Sequence, residues 1–152
     1  MVDILQLQDY LNEVKAAIPA INTTRLVIDD SQIVEIMRDI KESENLILLG
    51  LVPSHAMAGT NIDSLRNKDL MAFLVLKKVD TKVKHSVFID NLHSCQQAIR
   101  AVELKLLNDM ADDDNCASFL RQLDPSSITI DPVWGFAGTD GYEINFSLHT
   151  NL

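Results

Sequence analysis

The chain has 152 residues, the length of one ordinary domain, and it can bury a core without a disulfide or a structural metal. Hydrophobic residues make up 47% and charged residues 23%, a composition that excludes collagen-like, low-complexity and intrinsically disordered classes. The formal net charge of −9 argues against a broad basic surface for nucleic acid or anionic lipid. Because no linker or internal repeat interrupts the chain, we expect residues 1–152 to form a single domain.

We expect neither a targeting segment nor a membrane span from this sequence. Residues 1–4 lack the cationic flank of a secretory signal, and the longest apolar stretch, 46–53, is far below the roughly 18 residues that cross a bilayer. The two cysteines, Cys95 and Cys116, have no metal-binding spacing, and Cys95 lies on the apolar side of a helical pattern. We interpret them as reduced thiols in a cytoplasmic protein, with a single disulfide bridge as the alternative.

The first third of the chain predicts two helices and a buried strand. Apolar residues recur at steps of three and four over 4–18, which predicts a helix with Asp3 as its N-cap. Residues 25–28 form a short segment that contains β-branched Val27 and Ile28. The polar residues 29–31 that follow it can cap a second helix. Residues 46–52 are continuously apolar, a pattern typical of a strand buried on both faces.

A long loop and a lysine-bearing strand are predicted next. Residues 54–68 have the composition of a loop or irregular excursion, and residues 70–79 predict a strand. The outer end of that strand carries the only dense positive run of the chain, made of Lys77, Lys78, Lys82 and Lys84. Alternation of lysine with valine is typical of a solvated strand end that resists edge pairing, and an electrostatic contact with an acidic neighbour is the alternative.

The second half predicts a long helix and a final pair of strands. An apolar stripe predicts the helix over 88–110, and a short helix follows up to Leu123. Apolar and polar residues then alternate over 128–133 and 142–148, which predicts two strands. The glycine-rich segment 135–141 joins them. We therefore expect an α+β fold: an antiparallel sheet of about four strands, with the long helix and the N-terminal helix packed on it.

No catalytic or metal-binding motif is present. The four histidines form no HxxxH or HExxH pair, and no serine lies in a GxSxG or SxxK pattern. An enzyme would require His55, Asp63 and Asp29 to converge in space without any motif. We therefore expect a non-enzymatic protein with no cofactor and no metal.

The glycine-rich hairpin carries two aromatic residues. Trp134, the only tryptophan, and Phe136 flank Gly135 in a chain that has only two Tyr and five Phe in all. Aromatic residues beside a hairpin loop are typical of a protein interface. The alternative is that Trp134 closes the end of the core, and the sequence leaves both interpretations open.

The order of elements and the closing segment resemble a known family. An amphipathic N-terminal helix precedes a middle β pair with a long excursion, a long helix and a final β pair. The segment 128–133, a glycine-rich tip, and the "glycine-aromatic-x-apolar-x-apolar" run over 141–148 complete the pattern. This arrangement is similar to the small tail terminator and tail-completion proteins of tailed bacteriophages, with the helix at 31–43 as an addition to the family pattern.

The resemblance implies a structural protein of a phage or prophage tail, whose ring of copies terminates the tail tube and connects it to the head. The partners would be other copies, the tail tube and head-completion proteins, in a virion tail assembled in the bacterial cytoplasm. DNA would pass through the ring without specific binding, because an anionic wall repels phosphate. The expected ring contacts are the hairpin with Trp134 and Phe136, and the strand end with Lys77, Lys78, Lys82 and Lys84.

A second hypothesis comes from another class of protein. A small α+β ligand-binding or regulatory module would dimerise through its sheet, with the 54–68 loop over a pocket. Met57, Met71 and the apolar segment 46–52 would line that pocket. A ring of several subunits favours the tail protein, and a clean dimer favours the module.

Overall fold

The computed structural model describes residues 1–41, 44, 46–59, 66–79, 82, 84–112 and 117–151. It confirms the α+β class, with a sheet of six strands rather than about four. The elements in chain order are α1 (Ile4–Ala17), β1 (Thr23–Val27), α2 (Asp30–Asp39), β2 (Ile47–Leu51), β3 (Ser54–Ala58), β4 (Arg66–Lys78), α3 (His85–Ala111), a 3-10 turn (Ser118–Gln122), β5 (Leu123–Phe136) and β6 (Thr139–Asn151).

The sheet is mixed and has the strand order β1-β2-β4-β6-β5, with β3 paired to β4 beside β2. Strands β1 and β2 are parallel, because α2 returns the chain between them, and the other pairs are antiparallel. The predicted all-antiparallel sheet is therefore wrong at this one pair. The central strands β4 and β6 pair along their whole length, from Arg66 opposite Asn151 to Lys78 opposite Thr139.

Helices α1 and α3 cover one face of the sheet, as predicted. Asp3 begins α1 because its side chain accepts hydrogen bonds from the backbone N–H groups of Leu5 (2.8 Å) and Gln6 (3.1 Å). The helix lies directly on β2, where a Cβ added to Gly50 would meet Leu11 Cδ1 at 2.7 Å. The core on this face is the larger of two, and α3 contributes Cys95, Ala98, Ile99, Val102 and Leu106 to it.

Helix α2 covers part of the opposite face. Its N-cap is Asp29, which accepts from the N–H groups of Ser31 and Gln32, and the Ser31 side-chain hydrogen bond is the main cause of the lowered pKa of Asp29. The second core cluster lies under this helix and contains Val27, Ile33, Met37, Ile40, Ile47, Leu49, Leu74 and Leu76. Leu70, farther along the same face of β4, is 46% exposed.

The predicted loop over 54–68 is wrong in its described part. Residues 54–58 form β3, and β4 begins already at Arg66, four residues before the predicted start. Polar side chains such as Asn67 and Lys68 lie in this strand because it pairs with both β3 and β6, and such pairing outweighs local propensity. Residues 60–65 lie outside the described part of the chain.

Cys95 confirms the prediction of a buried, unbridged thiol. Burial raises its pKa to about 11, so the thiol stays protonated at neutral pH. The other cysteine, Cys116, lies outside the described residues. Among the described helices, none has the length and apolar character that a membrane crossing requires.

A buried polar contact joins α1 to α3. The Tyr10 hydroxyl donates to Asp109 Oδ2 at 2.9 Å, and Lys105 Nζ lies 2.8 Å from the same oxygen. Lys105 Nζ also lies 5.7 Å from the centroid of the Tyr10 ring. Burial, and next the hydrogen bond to Asp109, raise the pKa of Tyr10 far above its usual value of 10.0. The fold therefore favours the neutral hydroxyl.

We expect Tyr10→Phe to reduce stability and to flatten its dependence on alkaline pH. The lost hydrogen bond should cost about 1 kcal/mol at pH 7. In the wild type the contribution is complete below pH 10.0 and is lost as pH rises further, because only the unfolded chain ionises readily there. Urea denaturation from pH 7 to 11 measures both effects, with Tyr142→Phe as the matched control. An unchanged alkaline slope in Tyr10→Phe would contradict this assignment.

Candidate oligomerisation surface

The β5–β6 hairpin presents Trp134 to solvent. Strand β5 extends through Phe136, so the turn consists of Ala137 and Gly138 rather than the whole segment 135–141. Three residues at the tip of the hairpin, Gly135, Ala137 and Gly138, have positive φ angles of 65°, 51° and 73°. Trp134 is 79% exposed. Trp134 therefore does not close the end of the core.

Hydrogen bonds hold this tryptophan hairpin (residues 134–140) in one conformation. The Gly135 N–H donates to Asp140 Oδ1 at 2.9 Å, and the Thr139 hydroxyl donates to the Phe136 carbonyl at 2.6 Å. The Val79 N–H donates to the Gly138 carbonyl at 3.1 Å, which joins the hairpin to the end of β4. These hydrogen bonds restrain the backbone that carries Trp134 and leave its side chain exposed to a partner.

Phe136 differs from Trp134 in its surroundings. It is half-buried and packs against the core cluster under α2, together with Val133 and Ala137. Two aromatic residues that only Gly135 separates in the sequence therefore lie in different environments. Phe136 anchors the hairpin, and Trp134 remains available for contact.

The lysine-bearing strand end lies beside the tryptophan hairpin. Lys77 and Lys78 are opposite Asp140 and Thr139 in the β4–β6 pair. Lys78 Nζ donates to the Ile40 carbonyl at 2.9 Å, at the C-terminal end of α2, where a cation is favourable. Lys78 therefore stabilises a helix end within its own chain.

The other two lysines lie beyond the end of β4. Lys82 and Lys84 are both exposed, and Lys84 occupies the N-cap position of α3 without a side-chain capping hydrogen bond. The structure thus brings Trp134, Phe136, Lys77 and Lys78 together at one end of the sheet, with Lys84 at the start of the following helix. Whether this end contacts another copy stays a prediction.

The edge strands of the described sheet are guarded against direct pairing. Strand β5 contains Pro125 and Pro132 and has register irregularities between Asp124 and Thr129 and between Val133 and Phe136. Strands β1 and β3, whose outer edges are also unpaired in the described sheet, have only five residues each. Prolines, bulges and short length are features that prevent edge-to-edge association. A contact between copies is therefore expected to use side chains rather than sheet extension.

His55 and Asp29, the two described residues among those considered for enzymatic chemistry, have separate partners. His55 Nδ1 bonds Asp69, a fully buried carboxylate in β4 that also accepts from the Val2 N–H at 3.1 Å. Asp29 caps α2, and Asp63 lies outside the described residues. No group of three or more His, Cys, Asp or Glu side chains within the described ranges is arranged to hold a metal ion.

The pocket proposed for a ligand-binding module is not formed by the described residues. Met71 and residues 46–49 are buried in the two cores, and Met57 is 61% exposed on β3. A shallow, open depression lies on the outer face of α3, lined by Gln96, Gln97, Arg100, Ala101 and Leu104.

This depression on α3 was not found from the sequence. Leu104 is 56% exposed and lies off the apolar stripe that packs on the sheet. An apolar residue outside the buried stripe of a long amphipathic helix is the signal that could have located it.

Comparisons with known proteins give no relative. No family model, no curated protein and no solved structure matches the chain. The functional hypotheses therefore depend on the residues and on their placement in the fold.

Proposed function

We propose that the protein is a non-enzymatic structural component of a phage or prophage tail, where a ring of copies terminates the tail tube and connects it to the head. The observation that carries the proposal is Trp134, 79% exposed on a hydrogen-bonded hairpin. A tryptophan contributes most to affinity where a partner removes it from water. An exposed tryptophan on a hydrogen-bonded hairpin is thus well suited to a contact between copies.

The charge of the chain supports the same function. A ring through which DNA passes is best served by a wall that repels phosphate, and the chain has a net charge of −9. Like charge also opposes self-association, so the copies need specific local contacts. The partners are other copies, the tail tube and head-completion proteins, in a virion tail assembled in the bacterial cytoplasm.

The oligomeric state tests the proposal. Sedimentation velocity over a wide concentration range, with electron microscopy of the largest species, should show closed rings of roughly five or more subunits. A clean dimer at every concentration would instead favour the ligand-binding module. A monomer at every concentration, both alone and with assembled tail tubes, would overturn the ring.

We expect Trp134→Ala to weaken self-association and to leave the melting temperature nearly unchanged. Truncating a central interface tryptophan costs about 2 kcal/mol or more, which is roughly a thirty-fold loss of affinity. Phe136→Ala is the matched control, because Phe136 packs against the core and its truncation should lower the melting temperature. Sedimentation and thermal denaturation measure the two effects. A large loss of stability in Trp134→Ala would show that the indole supports the fold.

A further inference from the structure

Three polar side chains lie together on one face of the β5–β6 pair, which we call the His149 cluster (Asp124, Ser147 and His149). Asp124 is directly opposite Ser147 in the strand register. His149 follows two residues later in β6, so its side chain lies on the same face. Strand β6 begins at the tryptophan hairpin and ends at Asn151, so the cluster lies at the opposite end of the sheet from Trp134.

The Ser147 hydroxyl is buried without a partner among the described residues. Ser147 is 1% exposed, and the described part of the chain gives its Oγ atom no hydrogen bond. The backbone N–H of the same residue is satisfied, because it donates to the Ser127 hydroxyl at 2.8 Å. Most buried polar atoms in proteins contact a partner, which can be a bound ion or a water molecule. The unsatisfied Oγ atom therefore points to a ligand beside Asp124 and His149.

The Asp124 carboxylate is held through one oxygen and leaves the other towards His149. Oδ1 accepts hydrogen bonds from the Ser126 N–H at 2.9 Å and from the Ser126 hydroxyl at 2.6 Å. Oδ2 lies 3.6 Å from His149 Nε2, a separation longer than a hydrogen bond. The side chains of Asp124 and His149 are 32% and 34% exposed, so a small ion can reach both from solvent.

We propose that the His149 cluster binds a divalent transition-metal ion of the Zn²⁺ type through Asp124 Oδ2, His149 Nε2 and Ser147 Oγ. Two donors that each lie about 2.0–2.2 Å from a tetrahedral Zn²⁺ are roughly 3.4 Å apart. The observed 3.6 Å between Oδ2 and Nε2 is close to this spacing. The ion takes the Nε2 lone pair, and any proton on that nitrogen is released to solvent.

The donor set selects the class of ion. Imidazole nitrogen suits Zn²⁺ and similar ions, whereas Ca²⁺ and Mg²⁺ prefer oxygen donors alone. The cluster combines one imidazole and one carboxylate with a hydroxyl, so it differs from the groups of three His, Cys, Asp or Glu that the described ranges lack. Water completes the coordination. The proposal goes beyond the proposed tail function, because it involves no contact between copies.

Lys68 opposes the ion and therefore provides a variant that should strengthen binding. It lies opposite His149 in the β4–β6 pair, so its side chain is on the same face as the cluster. An ammonium group near the site repels a divalent cation. We expect Lys68→Gln to bind Zn²⁺ more tightly than the wild type. A simple ion pair between Asp124 and His149, without a metal, predicts no such gain.

Zinc titration of the full chain tests the site. Isothermal titration calorimetry at neutral pH should show one ion whose affinity falls at least about tenfold in His149→Gln and in Asp124→Asn. His85→Gln, at an exposed residue of α3, is the matched control and should bind as the wild type does. All these variants keep both cysteines, so zinc bound by a thiol contributes equally to every curve. NMR of the ring nitrogens should identify His149 as the imidazole that responds to zinc.

The outcomes separate this site from the proposed function. Zinc affinity that is unchanged in His149→Gln would overturn the site, whatever oligomer the chain forms. Ring-nitrogen shifts at His55, His85 or His93 in place of His149 would also overturn it. A chain that binds zinc at His149 and never forms rings would support the site and contradict the tail function. Because Asp124 also holds Ser126, His149→Gln decides the test if Asp124→Asn lowers the melting temperature.

Discussion

Replacing Ile99 with Asp should unfold the protein at room temperature. Ile99 is fully buried at the centre of the apolar stripe of α3, in the core cluster that also contains Phe73 and Ile144. The substitution removes apolar contacts and places a carboxylate where water cannot solvate it. We expect a loss of more than about 4 kcal/mol, a large share of the 5–15 kcal/mol that holds a typical domain together.

Leu104→Asp is the matched control for Ile99→Asp, because it introduces the same side chain into the same helix. Leu104 is 56% exposed, so this change should alter stability by less than about 1 kcal/mol. Urea denaturation followed by circular dichroism measures both variants. A folded, cooperatively melting Ile99→Asp protein would show that α3 does not pack on the sheet through this stripe.

Replacing Gly141 with Ala should cost about 3 kcal/mol or more. A Cβ added to Gly141 would lie 2.0 Å from the Val75 carbonyl oxygen and 3.0 Å from Leu76 Cα. Both are backbone atoms of β4, so no side-chain rotation can relieve the clash. The two central strands must separate instead, which weakens their hydrogen bonds over several residues.

Gly135→Ala distinguishes crowding from backbone strain. Gly135 has a φ of +65° and nothing within 4 Å of an added Cβ, so its replacement should cost only about 1–2 kcal/mol for the left-handed conformation. Chemical denaturation of the two variants should therefore rank Gly141→Ala well below Gly135→Ala in stability. Equal losses at the two glycines would contradict the close approach of β4 to Gly141.

Long periodic elements could be predicted from the sequence, whereas their partners could not. The stripe of α3 and the alternation over 142–148 each reflect one buried face, which the spacing of apolar residues reveals. The parallel pairing of β1 with β2 depends on the path of the chain through α2, and β3 depends on its pairing with β4. Such pairings lie between segments and leave no local pattern.

The residues of the candidate surface could be predicted from the sequence, whereas their surroundings could not. Trp134 stands out as the only tryptophan, and four lysines stand out against an acidic chain. Only the structure shows that Phe136 packs inward and that Lys78 binds the end of α2. The depression on the outer face of α3 was missed because finding it required noticing that Leu104 lies off the apolar stripe that packs on the sheet.

The pairing of β4 with β6 determines when the protein can fold during its synthesis. Arg66 of β4 pairs with Asn151 of β6, far away in the sequence, so the centre of the sheet stays incomplete until β6 has emerged from the ribosome. Until then, the apolar side of the α3 helix has only part of the sheet on which it packs. Newly made chains would therefore depend on rapid completion, or on chaperones, to avoid premature association.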